Sequence, residues 1–258
     1  MTGIEELFSL NGQVSLVTGA SRGIGRAIAV GLANAGADIV AMARGGDGLD
    51  ATRAAVESVG RSCHVVACDV ADPASVARAF GEIAARGLAP DILVNNAGIE
   101  QVCPSEQVND DLWDRIIDTN LKGAFFVAQH FARPLLAAGR AGSVINLGSL
   151  TSAVGVATAT PYTASKSGVL GMTRALSTEW AGRGIRVNAI GPGYFRTALT
   201  DTFFEDEDWQ HAMRARIPMG RFGRLDDLVG VSVFLASRAS AYVSGQIFYV
   251  DGGYLAAL

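Results

Sequence analysis

The chain has 258 residues, 49% of them hydrophobic and 18% charged, with a formal net charge of −4. That apolar content can bury a large core and argues against disorder. The negative charge, with no block of basic residues, argues against nucleic acid or an anionic membrane as a partner. The 31 glycines are scattered, as suits tight turns and close backbone approaches rather than a linker. The opening residues carry Glu5 and Glu6 and no long apolar run, so no export signal is expected. The most apolar stretch, 123–131, is too short to span a bilayer. Cys63, Cys68 and Cys103 lack metal-ligand spacing and have only His64, His130 and His211 beside them. No metal site is therefore expected, and reduced thiols suit a cytoplasmic setting.

Residues 13–18 read as a buried strand. It runs into Thr18-Gly19-Ala20-Ser21-Arg22-Gly23-Ile24-Gly25 and then a helix to about 35. Strand, glycine turn and helix form the context of a dinucleotide site: the glycines let the backbone approach a pyrophosphate, and the helix N-terminus attracts its charge. The spacing of Gly19, Gly23 and Gly25 differs from the commoner Gly-x-Gly-x-x-Gly. A second strand, 38–43, ends at Arg44, where NAD-binding chains place an acid against the ribose hydroxyls. Arg44 with Arg22 would suit the 2′-phosphate of NADP, so NADP(H) is favoured over NAD(H). The alternatives are that either arginine is a solvated surface charge, or that Asp47 folds back toward the ribose.

A helix over 49–59 precedes a third strand, 63–68, with Asp69 and Val70 at its carboxyl end, the edge where open α/β sheets bind ligands. Asp72 and Pro73 cap and start the next helix. The fourth strand, 91–94, is apolar throughout and ends in Asn95-Asn96-Ala97-Gly98. That turn is either a polar floor with room for a ligand or a place where asparagine amides tie the backbone. A long helix is expected over 110–138, with Trp113, Ile116, Ile117, Leu121 and Phe125 in a helical pattern and Pro134 kinking or ending it. Asn120 inside it competes for backbone hydrogen bonds and, taken alone, reads as a satisfied core amide.

The fifth strand, 143–147, carries Ser149 just past its end. The helix expected over 162–180 has small residues at Ala164, Ser165, Ser167, Gly168 and Gly171 that would allow close packing against a neighbour, including another subunit. Tyr162 and Lys166 lie one turn apart on its face. A tyrosine titrates near pH ~10, and an ammonium beside it would pull that value down, so the pair could move a proton near neutrality. The alternative is a core-capping tyrosine and a snorkelling lysine. A sixth strand, 185–190, leads to Gly191-Pro192-Gly193-Tyr194-Phe195-Arg196-Thr197. Residues 198–216 mix aromatics and acids, as a solvated helix face or a mobile cover would, and a substrate lid is set at about 194–216. A helix over 225–236 and a seventh strand, 246–250, close the chain. Strands alternate with helices without repeat or linker, so a single domain over 1–258 with one parallel sheet is expected.

The glycine motif of 18–25, Asp69, the turn 95–98, Asn120, Ser149, Tyr162 with Lys166, Pro192-Gly193 with Thr197, and Asp251-Gly252-Gly253 occur together, in order. In this the chain resembles the short-chain dehydrogenase/reductase family over nearly its full length. The resemblance implies a Rossmann-like, doubly wound α/β fold with seven parallel strands and helices on both faces, and a homotetramer. It implies a catalytic set: Ser149 hydrogen-bonding the substrate oxygen, Tyr162 passing a proton, Lys166 holding the nicotinamide ribose and lowering the Tyr162 pKa, and Asn120 anchoring a water. Gly19, Ser21, Arg22, Ile24, Asp69, Val70, Asn96 and Phe195 fall at the family's cofactor positions. Gly23, Gly25, Ala97, Gly98, Pro192, Gly193 and Thr197 complete that set, with Tyr162 and Lys166 counted in both.

Within the family, residues 8–10, 217–220 and 245–253 look like those of gluconate 5-dehydrogenase and 2-deoxygluconate 3-dehydrogenase types. The expected activity is NAD(P)(H)-dependent interconversion of a secondary alcohol and a ketone on a small molecule: a sugar acid, sugar or polyol. Those relatives often carry basic residues after the Asn-Asn-Ala-Gly turn, where Glu100-Gln101 stand here. A glutamate suits hydroxyls and repels a carboxylate. Ser149, Tyr162, Glu100 and Tyr194 are the expected substrate contacts, with Arg196, Arg214 or Arg216 as sources of the missing charge. The alternatives are reduction of 3-oxoacyl chains on a carrier protein, which needs a basic patch for the acidic carrier, and a non-catalytic nucleotide-binding protein, which usually loses the tyrosine or lysine.

Overall fold

The computed structural model describes residues 3–197 and 204–257. Seven strands form one parallel sheet: β1 (Val14–Thr18), β2 (Asp38–Ala43), β3 (Cys63–Ala67), β4 (Ile92–Asn95), β5 (Gly142–Leu147), β6 (Ile185–Pro192) and β7 (Ile247–Val250). Their order is β3-β2-β1-β4-β5-β6-β7. The chain winds outward from β1 to β3, then returns to the other side of β1 and winds outward again. At the reversal, between β1 and β4, the loops leave in opposite directions and open a crevice at the strand carboxyl ends. The single parallel sheet is the one the strand–helix alternation led us to expect, and its Rossmann-like doubly wound order with seven strands is the one the family resemblance implied.

The strands are apolar on both faces because helices cover both. Along β1 the period of two sends Val17 to one core and Leu16 to the other. Val17, Ile39, Val94 and Ile145 pack against Ile28 and Leu32 of α2 (Gly23–Asn34), Val56 of α3 (Asp47–Glu57) and Leu235 of α9 (Val229–Ala236). Leu16, Val40, Leu93 and Val144 pack against Ile83 of α4 (Pro73–Ala85), Phe131 and Leu135 of α6 (Ala124–Ala138), and Trp180 of α7 (Thr160–Trp180). A third, small cluster of Leu150, Met213, Ile217 and Tyr254 lies apart from these two cores and seats α8 (Glu207–Arg216). The first helix, α1 (Ile4–Phe8), has no counterpart in the sequence reading.

The helix expected over 110–138 is two helices. The first, α5 (Asp110–Ile117), runs into a π-helical turn, Asp118–Gly123, before α6 begins. Asn120 sits in that turn, where its side chain leaves the helix to bond a neighbouring loop. Gly123 is required there: a Cβ would stand 2.6 Å from the carbonyl oxygen of Val70. Of the two outcomes expected at Pro134, ending the helix does not occur: α6 continues past it to Ala138 and closes on Gly139 in the left-handed conformation (φ 62°). Burial of Phe131, Ala132 and Leu135 on either side holds that turn despite the missing N–H. The helix α7 starts at Thr160, two residues earlier than expected, with Pro161 in its first turn.

Of the expected lid, residues 198–203 lie outside the described residues. The remainder holds α8, whose N-cap Asp206 accepts a hydrogen bond from the Trp209 N–H at 2.9 Å. Among the described residues no helix is long and apolar enough to cross a membrane.

Candidate active site

At the β1–β4 crevice the chain leaves β1 through Gly19 (φ 63°), and a Cβ there would stand 2.8 Å from the Asn96 amide nitrogen. At Gly25, inside the first turn of α2, a Cβ would stand 2.3 Å from the Gly19 carbonyl oxygen. Neither position has room for a side chain, so the loop lies flat against the N-terminus of α2 and its backbone can approach an anion. The Asn96 side chain donates to the Thr18 and Gly19 carbonyls at 2.9 and 3.2 Å. The main-chain N–H groups of Asn96 and Ala97 both donate to Thr18 Oγ1 at 3.0 Å. Of the two readings of Asn95-Asn96-Ala97-Gly98, the structure therefore supports both: the amides tie the backbone, and the turn floors a cavity.

That cavity, of about 800 Å³, is lined by Gly19, Ser21, Arg22, Gly23, Ile24, Gly25, Arg44, Asp69, Val70, Asn96, Ala97, Gly98 and Thr197. It has the length, glycine cradle and helix N-terminus that a dinucleotide needs. Arg22 and Arg44 are exposed at its wall. The side chain of Asp47 lies outside what is described. Arg26 is spent on structure: it donates to the Ser21 and Gly48 carbonyls and to Thr52 Oγ1, fixing the outer wall.

A second cavity, of about 420 Å³, shares Ile24, Asn96, Gly98 and Thr197 with the first. Ser149, Tyr162, Lys166, Pro192, Gly193, Tyr194, Phe195 and Glu100 line it. Ser149 arrives at the end of β5 and caps a short 3₁₀ turn, its Oγ accepting from the Thr151 N–H at 3.2 Å. Its hydroxyl lies near enough to Tyr162 to favour the phenolate. Lys166 Nζ donates to the Leu147 carbonyl at 2.7 Å and lies 5.6 Å from the centre of the Tyr162 ring. A Cβ on Gly98 would come within 3.7 Å of Nζ, so the glycine keeps the approach to the lysine open.

The electrostatics differ from expectation. Burial lowers the Lys166 pKa to about 8, against the opposing pull of Glu100. The Tyr162 phenol is held above its ordinary value, not below it, by burial and then by the Glu100 charge, with the Ser149 hydroxyl opposing. Burial and the Glu100 charge set the direction, and Lys166 is not among the causes of the Tyr162 shift in this geometry. Burial also raises Glu100, and Lys166 partly offsets it, so Glu100, Tyr162 and Lys166 titrate as neighbours.

Asn120 is 1% exposed and stands behind the cavity rather than in it. Its Oδ1 accepts from the Ile99 N–H at 2.8 Å, and its Nδ2 donates to the Ile99 carbonyl at 2.9 Å and to Ser165 Oγ at 3.2 Å. The amide thus clamps the loop that carries Gly98 and Glu100, and any hold on a water would fall to its main chain. Trp209 and Met213 of the expected lid also line the second cavity, and so do Thr151 and Tyr254, which the sequence reading did not find. Thr151 Oγ1 is buried without a hydrogen-bond partner. Only the aromatic residue just after Asp251-Gly252-Gly253 offered a signal for Tyr254.

Two joined cavities at the switch point of a doubly wound sheet, one built for a dinucleotide and one holding a Ser–Tyr–Lys group, define an oxidoreductase that works with a nicotinamide cofactor. The family model described as enoyl-(acyl carrier protein) reductase matches residues 19–255. The gluconate 5-dehydrogenase of Gluconobacter oxydans is 40% identical over 98% of each chain. A Sinorhizobium meliloti protein described as a short-chain alcohol dehydrogenase has a solved structure that is 56% identical with a TM-score of 0.94, covering 98% of this chain and 100% of that one. The gluconate 5-dehydrogenase of Burkholderia cenocepacia, solved in complex with NADP and tartrate, is 39% identical with a TM-score of 0.95, covering 99% of this chain and 100% of that one. The chain belongs to the short-chain dehydrogenase/reductase family.

Replacing Asn120 by alanine leaves the Ile99 N–H and carbonyl without these partners, so Asn120→Ala is expected to lower unfolding stability by about 2–4 kcal/mol. Urea unfolding of the two proteins measures this, and an unchanged midpoint would show that the clamp contributes nothing.

Proposed function

We propose that this protein interconverts a secondary alcohol and a ketone on a sugar acid or closely related polyol, using NADP(H) in preference to NAD(H). The observation that carries this is the Ser149, Tyr162 and Lys166 group in the wall of the second cavity, with Lys166 beside Gly98, a residue the two cavities share. When bound, the nicotinamide supplies or accepts the hydride.

The chain's own residues handle the oxygen and its proton. In reduction, Ser149 Oγ and the Tyr162 hydroxyl bracket the substrate oxygen, and Tyr162 gives it a proton as negative charge develops. A phenol held up by burial is fully protonated at neutral pH and ready for that step. In oxidation Tyr162 takes the proton, and the buried Lys166 ammonium stabilises the phenolate that precedes it. The two N–H donors of Lys166 that Leu147 does not use suit ribose hydroxyls. Asn120 supports the group from behind, as a positioning residue through its side chain and as a water anchor through its main chain.

Arg22 and Arg44 at the dinucleotide cavity support NADP, as does the NADP in the B. cenocepacia relative. The relatives' names support the substrate class, gluconate 5-dehydrogenase among them. Reduction of 3-oxoacyl chains would need a basic patch for the acidic carrier, and the formal net charge of −4 with no block of basic residues does not supply one. Residues 194–197 and 204–216, the described parts of the segment, serve as the lid of one domain spanning 1–258. A homotetramer and a cytoplasmic setting complete the reading. The family resemblance supports the first, and free thiols at Cys63, Cys68 and Cys103 support the second.

Tyr162→Phe removes the proton donor and is expected to lower kcat by about a hundredfold or more, read as NADPH absorbance over a panel of sugar acids and polyols. Full turnover in that variant would refute the assignment. Arg44→Asp removes a phosphate partner and adds a repulsive charge. The ratio of kcat/KM for NADP over NAD is expected to fall by about tenfold or more, and an unchanged ratio would count against the cofactor preference.

A further inference from the structure

Glu100 poses a problem for a sugar-acid substrate, because it places a carboxylate in the wall next to the reacting group. Lys166 answers it locally: one cation and one anion stand beside Tyr162 and offset each other. Among the described residues, the charged side chains lining the cavity are Glu100, Lys166 and Arg216. Arg216 is therefore the charge that remains uncompensated.

Three arginines belong to the covering segment, and each lies against an aromatic ring. The guanidinium of Arg196 is 5.8 Å from the Phe204 ring centre, that of Arg214 is 5.5 Å from Phe222, and that of Arg216 is 5.3 Å from Tyr254. Only Arg216 of the three lines the cavity. Arg214 also donates to Gln210 at 3.0 Å. Among the described residues Arg216 has no ion pair. Stacking on Tyr254 holds the plane of the guanidinium and leaves its N–H fork for a ligand, the geometry that suits a carboxylate. The Tyr254 ring meets the Tyr194 ring edge-on at 5.3 Å between centres, and Tyr194 lies within reach of the charges on both Arg216 and Glu100. The two charges thus act across one cavity, with the buried, unpartnered Thr151 Oγ1 in its wall.

We propose that Arg216, stacked on Tyr254, binds the carboxylate of the substrate, while Glu100 at the reacting end accepts hydrogen bonds from its hydroxyls. The inference rests on the sugar-acid reading above and refines it. The pocket takes a polyhydroxy chain with one carboxylate, held at the end remote from the reacting carbon. The charge is supplied from the last turn of α8, not from the turn after β4.

The test compares wild type, Arg216→Gln and Arg216→Lys on pairs matched for length: D-gluconate with D-sorbitol, and D-threonate with D-threitol, all with NADP. Wild type is expected to favour the acid of each pair. In Arg216→Gln the acid-to-polyol ratio of kcat/KM should fall by about tenfold or more, through a rise in KM for the acid with kcat little changed. Arg216→Lys should recover part of it. An unchanged ratio, or polyols oxidised by wild type with no acid accepted, would overturn the inference and leave the oxidoreductase reading standing. If no member of either pair is turned over, the proposed function fails. Calorimetric titration of D-gluconate into the NADP-loaded proteins then decides the inference by itself. Affinity weakened about tenfold in Arg216→Gln upholds it, and equal affinity or no binding to wild type overturns it.

Discussion

A buried ammonium held by one carbonyl organises this molecule. Lys166 is 5% exposed, and its 2.7 Å hydrogen bond to Leu147 ties α7 to the end of β5. Burying a charge is costly, and the cost shows as a pKa drawn down to about 8. The folded value lies below the unfolded one, so the group costs stability at pH below about 8, and that cost fades as pH rises toward the unfolded value of about 10.4. The tether fixes the neighbours. With Lys166 anchored, Tyr162 one turn earlier is held beside Ser149, which the end of β5 delivers. The same turn is braced from Ser152, whose hydroxyl accepts from the Ser149 N–H at 3.2 Å and donates to the Lys166 carbonyl at 2.9 Å.

The sheet topology brings the dinucleotide cradle to the same place. Reversal of strand order between β1 and β4 opens the crevice, and the contacts among Gly19, Gly25 and Asn96 close its floor so tightly that no side chain fits at either glycine. The Gly98 end of that floor lies below Lys166, so the two cavities share a boundary instead of lying side by side. A dinucleotide in the first would present its reactive end to the hydroxyls of the second. Burial strengthens the field of each donor there, because little water remains to screen it.

Much of this was legible in the sequence, for identifiable reasons. Strands buried on both faces gave short apolar runs bounded by turns, and all seven fell where those runs stood. The glycine turn and the Tyr162–Lys166 spacing are local signals, and the structure keeps them local. What the sequence hid depends on distance. The π-helical turn at Asn120 arises because its amide reaches Ile99, a partner 21 residues away. Pro134 does not end α6, because core packing outweighs one missing hydrogen bond. The sense of the Tyr162 shift was misjudged, because spacing along a helix reports a neighbouring charge but not the depth of burial. Of the three arginines named as possible partners for a carboxylate, only folding distinguishes Arg216, through Tyr254 at the far end of the chain.

In the proposed function Lys166 serves both the cofactor and the proton-transfer tyrosine. The most direct measurement is NADPH affinity, by calorimetric titration, of wild type and Lys166→Met, a substitution that keeps much of the apolar stem and removes the charge. The variant is expected to bind NADPH about tenfold or more weakly as well as losing turnover, because the ribose loses its donors. Wild-type affinity for NADPH in a variant that has lost turnover would contradict it.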